Sequence, residues 1–319
     1  MKLYELNGND GQSQNQNAAL RQVAVAKLRA VCPLLDYLEF YEVKGSSDTP
    51  RKPSDASGGS TRAINSNFPD NQVDPIFGNI ALKIWGDKVQ TDKAWERRGV
   101  DIDSERISDV ISFAEKMGWD LMDRFINSVD GATTWDGIKQ LVPVANKVVF
   151  DTANGGAFPL GNATAEKKQQ QKLLELIRKV LNYVGPGSVV VMNADVMARI
   201  ESTFWEYVTR QDVKSPIEED VQIVKFRGRP IVDAGYKKDG NTLVMGNDGT
   251  VGASDDCSSI LVFKPGEKAD LACGSNVGLV VDDLGLQGVH YETQLEADIG
   301  MALLRDKALF EIDGIRLDG

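Results

Sequence analysis

The sequence holds a single histidine, His290, so a Ser-His-Asp or Cys-His site, or a zinc centre with several imidazoles, would have to rest on that one residue. Those enzyme classes are disfavoured from the outset. The three cysteines, Cys32, Cys257 and Cys273, are odd in number, far apart and never in a C-x-x-C pair, which implies neither a disulfide framework nor a metal knuckle. A reducing compartment fits best. Basic residues are in deficit, 36 against 47 acidic ones, and splitting the chain at Asp130 leaves both portions acidic, so neither half reads as a basic nucleic-acid module. There is no apolar run of about 18 residues, and the start, MKLYELNGNDGQSQNQN, lacks the apolar region of a signal peptide. The expectation is a chain neither secreted through a cleaved signal nor inserted in a bilayer.

Phosphate chemistry lacks its motifs too, since neither G-x-x-x-x-G-K-[ST] nor a helix-opening G-x-G-x-x-G occurs. The oxygen-rich segment from Asp239 to Asp256 does not follow the calcium-loop register, and Asp or Asn beside glycine more often makes turns. Asp282 and Asp283 are adjacent on an expected strand and so point to opposite faces, which prevents them from sharing an acid–base site. His290, beside Tyr291, reads as a packed or surface side chain. The five tryptophans, Trp85, Trp95, Trp119, Trp135 and Trp205, form no basic-aromatic stripe for stacking single-stranded bases. No catalytic, cofactor or metal site emerges.

What is present describes a folded chain. At about 150 residues per domain, 319 residues suggest two domains, and 42% hydrophobic with 26% charged residues matches an ordinary globular composition. Leu20, Val23, Ala24, Leu28 and Val31 predict a short amphipathic helix stopping at Pro33. LDYLEFYEV (35–43) suits a strand, and IALKIWGDKVQ (80–90) suits a second. Between them, residues 45–74 contain almost nothing that could be buried, so 37–98 is read as an extended β-hairpin with a polar tip. So long a loop in a compact domain is explained either by contact with a neighbouring subunit or as a surface loop with no partner. Charged residues gather at its base: Lys93, Glu96, Arg97 and Arg98.

A long helix follows. With Asp103 as its expected cap, apolar residues at Ile107, Val110, Ile111, Ala114, Met117, Leu121, Met122, Phe125 and Ile126 give the i, i+3, i+4, i+7 spacing of one face. Beyond Asp130-Gly131 strands alternate with helices: a helix over 163–184, the buried strand SVVVM (188–192), and a helix capped by Asn193 that runs through about Arg210 with Met197, Ile200, Phe204 and Val208 inward. Further strands are expected at 229–236, 241–246, 258–265, 277–283 and in a closing run from about 287 to 315. The class is mixed, a central sheet with flanking helices.

The order of these parts resembles the major capsid proteins of tailed bacteriophages, the HK97-like fold. FINSVDGATTWDGIKQL (125–141) looks like the family's Phe-Leu/Ile-Asn-Gly-Asp run followed by Phe-Asp-Gly-Leu, matched by Phe125, Ile126, Asn127, Asp130, Trp135, Asp136, Gly137 and Ile138, with Ser128-Val129 standing where the family has a glycine. VVVMNADVMARIE (189–201) resembles the strand ending in Met-Asn that runs into a helix, GRPIVDAGY (228–236) its Gly-x-Pro-Ile strand, and 258–285 with 292–315 its C-terminal strands.

The resemblance implies an α+β subunit without catalytic turnover that assembles with itself into pentamers and hexamers of an icosahedral head. It further implies an N-terminal arm (1–36) reaching another subunit, an extended loop (37–98) lying across a neighbour, a spine helix (104–128) within 99–150, an axial domain (151–284) and a peripheral return (285–319). The contact residues expected on this basis are Arg51, Lys52, Arg62, Phe68, Trp85, Trp95, Glu96, Arg97 and Arg98. Implied partners are a scaffolding protein or an already removed segment during assembly, a portal, a decoration protein, and double-stranded DNA enclosed without specific binding. No cofactor or membrane is implied, and the expected location is the virion, after assembly in the host cytoplasm. A cellular nanocompartment shell of encapsulin type and a soluble α/β enzyme or binding protein are the alternatives.

Overall fold

A strand that is apolar at every position needs cover on both faces, and the run Val189–Met192 receives it. In the computed structural model, which describes residues 1–6, 18–52, 61–68, 76–150, 156–157, 164–213, 221–251 and 254–316, this strand lies inside a nine-stranded sheet. Arg229–Asp233 runs parallel on one side of it and Ser254–Phe263 antiparallel on the other. Ser254–Phe263 pairs in turn with Leu309–Arg316, and that strand pairs in parallel with Lys147–Val149. Side chains alternate between two cores as the pleat requires. Val190, Met192, Ile260 and Val262 pack with Leu173, Ile177, Val180 and Val184 of the helix Thr164–Val184 and with Val196 and Ile200 of the helix Ala194–Thr203. Val189, Val191, Leu261 and Phe263 turn the other way, into a core shared with the long helix.

That helix spans Ile102–Asn127, and its buried stripe is Val110, Ala114, Met117, Leu121, Met122, Phe125 and Ile126. Its cap is Asp101 rather than the expected Asp103, because Asp101 has the extended backbone of a cap and its carboxylate accepts a hydrogen bond from the Asp103 N–H. Under it lies a five-stranded sheet. Phe40–Glu42 runs parallel to Leu271–Ser275, which pairs with the end of His290–Leu303. Leu279–Gln287 and Lys83–Asp92 both pair antiparallel with His290–Leu303. Trp85, Val281, Leu295, Ala297 and Ile299 point from this sheet to the helix.

The N-terminal segment does not reach outward in its described residues. The helix Ala18–Val31 lies against the long helix with Leu20, Ala24 and Leu28 buried, and Gly118 lets it approach, since a Cβ there would sit 3.0 Å from Val31 Cβ. Ahead of it, Leu3 and Leu6 are buried as well. The Phe40 N–H donates to Met1 O at 2.8 Å and the Leu279 N–H to Leu3 O at 3.1 Å. Gly278 has φ +71°, and a Cβ there would meet Leu6 O at 2.0 Å, so only glycine admits the segment. Of the expected arm over 1–36, residues 1–6 and 18–36 are described, and apolar burial ties them to their own body.

Other expectations shift for physical reasons. The helix after Asn193 ends at Thr203, and Val208 opens the strand Val208–Val213, whose β-branched residues pair with Val221–Phe226. LDYLEFYEV begins as a 3-10 turn, Pro33–Asp36, and only Phe40–Glu42 pairs. NTLVMG forms one bridge, Tyr236 to Leu243, and no longer ladder. The boundary drawn at 284/285 falls within Leu279–Gln287. Leu271–Ser275 and Leu279–Gln287 belong with His290–Leu303, whereas Leu309–Arg316 crosses into the larger sheet.

The end of the long helix and the end of the strand Val189–Met192 both hold the loop 244–245. Asn127 Nδ2, at the end of the long helix, donates to Val244 O at 2.8 Å. Asn193 Nδ2 donates to Met245 O at 3.0 Å while its Oδ1 accepts the Val196 N–H at 2.8 Å. Asn193 is fully buried, which explains why the Met-Asn pair sits at this strand end. Asn193→Ala removes the cap and orphans a buried carbonyl, and a loss of about 2–4 kcal/mol is expected in thermal or denaturant unfolding. Gly278→Val is expected to free residues 1–6, read as early N-terminal cleavage in limited proteolysis with far-ultraviolet circular dichroism unchanged.

Candidate assembly surface

Chemistry-bearing groups are dispersed. Among the described residues no three His, Cys, Asp or Glu side chains gather in a metal-holding group, and no helix is long and apolar enough to cross a membrane. Burial pushes the Cys32 thiol up to about 12 and raises that of Cys273, leaving both without the thiolate a nucleophile needs. Asp239 makes a turn: its carboxylate accepts from the Thr242 hydroxyl and the N–H groups of Thr242 and Asn241, which hold its pKa at about 2. Asp283 accepts from Arg106 Nη2 on the helix side of its sheet, whereas Asp282 stands opposite Gln294 on the other side. The two carboxylates are separated by the sheet, as the pleat dictates.

The exposed feature with most structure is the arm. The chain leaves the five-stranded sheet after Val43, and Ser47–Asp48 pairs with Ile80–Ala81, then Arg51–Lys52 with Ile76–Phe77. The Leu82 N–H donates to Ser46 O and the Gly78 N–H to Pro50 O, extending this narrow stem. Its base is set in a small apolar cluster of Tyr41, Val43, Ile80, Ala272, Ala302 and Leu304. Gly78 packs closely there, since a Cβ would lie 2.6 Å from Leu304 Cδ2 and that side chain would have to shift. Burial, together with Asp48, raises the Tyr41 hydroxyl.

Beyond the base, apolar side chains have no cover. Ile64 is 92% exposed and Phe68 61%, and Ile76 and Phe77 are also exposed. A two-stranded ribbon of this kind is marginal by itself in water. The described projecting residues are 44–52, 61–68 and 76–82, within the expected 37–98, because Phe40–Glu42 and Lys83–Asp92 are strands of the body. Parts of the expected polar tip, 53–60 and 69–75, lie outside the described residues.

The expected contact residues fall into three places. Arg51, Arg62 and Phe68 are exposed on the arm and Lys52 is half-buried there, with the Arg62 guanidinium 5.3 Å from the Phe68 ring centre. Trp95, Glu96 and Arg97 are exposed on the single helical turn Ala94–Arg97, and Arg98 lies just after it, its guanidinium 5.3 Å from the Trp95 ring centre. Trp85 does not belong with them. It is 5% exposed, in the core beneath the long helix, and its Nε1 donates to Asp120 Oδ2 at 3.0 Å. Sequence reasoning missed Ile64, Ile76 and Phe77, whose signal is an apolar side chain inside an otherwise polar stretch.

The turn at 125–138 is explained by the end of the long helix. The Gly137 N–H donates to Ser128 O at 2.7 Å, and a Cβ at 137 would fall 2.7 Å from Ile126 O, so the returning chain must be glycine at that point. The Asp130 N–H donates to Asp136 Oδ1, and Phe125 and Trp135 rings stand 6.0 Å apart in the core.

By sequence, no family model and no curated protein matches the chain. Solved structures do. The holo-SrpI encapsulin complex from Synechococcus elongatus PCC 7942 is similar at 17% identity and TM-score 0.58, over 90% of this chain and 89% of that one. The capsid of an empty GTA particle is similar at 16% identity and TM-score 0.53, over 89% and 90% of the two chains. The head of Helicobacter pylori bacteriophage KHP40 is similar at 12% identity and TM-score 0.52, over 88% and 87%. Phage capsid proteins predominate among the similar structures. The fold of this chain is therefore the HK97-like capsid fold, an α+β architecture shared by phage capsid proteins and an encapsulin.

Proposed function

We propose that the chain is the repeating subunit of a closed protein shell, a structural protein without catalytic turnover, and that its arm over 44–82 lies across a neighbouring copy. The observation that carries this reading is the arm itself, a ribbon whose described residues are set into an apolar cluster at its base and expose Ile64, Phe68, Ile76 and Phe77 further out. Apolar area buried against a neighbour stabilises association by about 25 cal/mol per Å² before ordering costs, and a closed shell repeats each such contact many times. The exposed residues Arg51, Arg62, Phe68, Trp95, Glu96, Arg97 and Arg98, with Lys52, are the proposed contacts.

Within that class the chain is proposed to be a phage major capsid protein that gathers as pentamers and hexamers around double-stranded DNA in a virion assembled in the host cytoplasm. The unit built on the nine-stranded sheet would take the axial place and the unit of the long helix the peripheral one. A scaffolding protein, a portal and a decoration protein would be its partners. The net charge of −11 accords with a wall that encloses phosphate without gripping it. A second reading, a cellular nanocompartment, is supported by the similarity to the encapsulin.

Electron microscopy of the assembled protein is expected to show closed particles, and a persistent monomer under all assembly conditions refutes the shell. Particles filled with DNA select the phage reading, and particles filled with a cargo protein select the compartment. Deletion of 48–72 is expected to leave the subunit folded by circular dichroism but to abolish particles in size-exclusion chromatography.

A further inference from the structure

Four side chains scattered along the sequence meet on the helix-covered side of the larger sheet. Tyr207 closes the 3-10 turn Trp205–Tyr207, and its ring packs 6.4 Å from that of Phe226 at the end of Val221–Phe226. The Arg178 guanidinium, from the helix Thr164–Val184, lies 5.0 Å from the centre of the Tyr207 ring, and the Arg227 guanidinium lies 5.7 Å from it. Arg229 is the cross-strand partner of Phe226 and so shares its face. Three cations therefore surround one pair of aromatic rings.

Two observations set these arginines apart from ordinary solvated charge. Arg178 Nε is shut off from solvent and donates to nothing among the described residues, so burial has removed its water without supplying an acceptor. Arg227 has φ +51° and Gly228 φ +79°, and together they form the two-residue turn between the paired residues Phe226 and Arg229. Asparagine, aspartate or glycine suits the first of two such left-handed positions, and a long side chain held there is strained. Among the described residues, Arg178, Arg227 and Arg229 enter no ion pair. Glu175 and Glu206, the acids close to Arg178 and Tyr207 in sequence, reach none of them.

These groups suit an anion. Guanidinium forks match phosphate oxygens, and several of them spread around one ring on an open surface suit a run of phosphates better than a single one. The surface is open because Trp205, two residues before Tyr207, is 70% exposed. We propose that Arg178, Arg227 and Arg229, arranged around Tyr207, are a contact site for the phosphate backbone of duplex DNA. Backbone contacts carry no sequence information, and three guanidiniums in a chain of net charge −11 touch a duplex without gripping it. Repetition over many copies makes such weak contacts effective. The site goes beyond the shell reading, which concerns enclosure and assigns no residue to DNA.

Binding of a short fluorescent DNA duplex to the full-length chain, followed by anisotropy across salt concentrations, tests it. Arg178→Gln with Arg227→Asn is expected to weaken binding at least fivefold and to lower the slope of log affinity against log salt by about 2, since each neutralised phosphate contributes about 0.9. Removing the same charge near the start of the same helix, with Lys167→Gln and Lys168→Gln, is expected to leave affinity within twofold of the parent. Arg227→Asn alone is expected to weaken binding while raising the melting temperature, because asparagine fits the turn, and a merely structural arginine does not produce that split. Arg227→Lys is expected to keep most of the affinity. Parent-like binding by the arginine variants, or a parent that binds no duplex, overturns the site. Equal losses in the arginine and lysine double variants assign the affinity to overall charge and overturn it too. Complete displacement of the duplex by inorganic phosphate at equal ionic strength makes the patch a free-oxyanion site and also overturns it. Closed particles built from a chain without duplex affinity overturn this site and leave the shell standing, whereas a persistent monomer removes the shell whatever the duplex result.

Discussion

Two-sided burial of the long helix is the constraint on which the rest of the molecule depends. Ile102–Asn127 sends Val110, Leu121 and Phe125 into a core that also contains Leu295 and Ile299 of the smaller sheet and Val191, Leu261 and Phe263 of the larger one. Each sheet therefore has one face defined by this helix, and its remaining face must be covered by something else. For the larger sheet that cover is local, Thr164–Val184 and Ala194–Thr203. For the smaller sheet a patch at the arm's base is covered by Ile80 and Leu304, and the rest has no covering layer among the described residues. The asymmetry between a sheet finished on both sides and one finished on one side follows from the order in which helices occur in the chain.

Local pattern made much of this legible. The long helix was readable because its apolar residues keep the 3.6 period through 26 residues, and Val189–Met192 because an unbroken apolar strand needs two covered faces. Asn193 announced itself as a cap by standing before Ala194–Thr203. The misread parts are those decided at long range. Phe204 and Val208 continue a helical spacing, yet the chain turns because Val221–Phe226 offers a partner strand. Leu309–Arg316 follows His290–Leu303 directly but pairs elsewhere, a choice no window of sequence contains. Trp85 and Ile84 are neighbouring apolar residues, and the register decides which enters the core.

The arm shows the same limit from the other side. Its lack of buryable residues between the strands was plain in the sequence, whereas its true length was not, because Lys83–Asp92 looks like half of a hairpin until its ten partners on His290–Leu303 are seen. What remains is a ribbon whose stem is four short strands and whose anchor is a handful of side chains around Gly78 and Tyr41. An element built this way contributes little to the stability of its own subunit. Its apolar and cationic groups are instead left for contacts outside it, which is how the fold divides residues that hold the monomer from residues that hold an assembly.

The seat of residues 1–6 adds a matter of timing. Leu3 and Leu6 lie beside Leu279 and Gly278, far away along the chain. Contacts of such sequence separation form late and slowly. Closure of that clasp therefore waits on the strands of the smaller sheet, and the segment becomes a latch that only a finished body can hold.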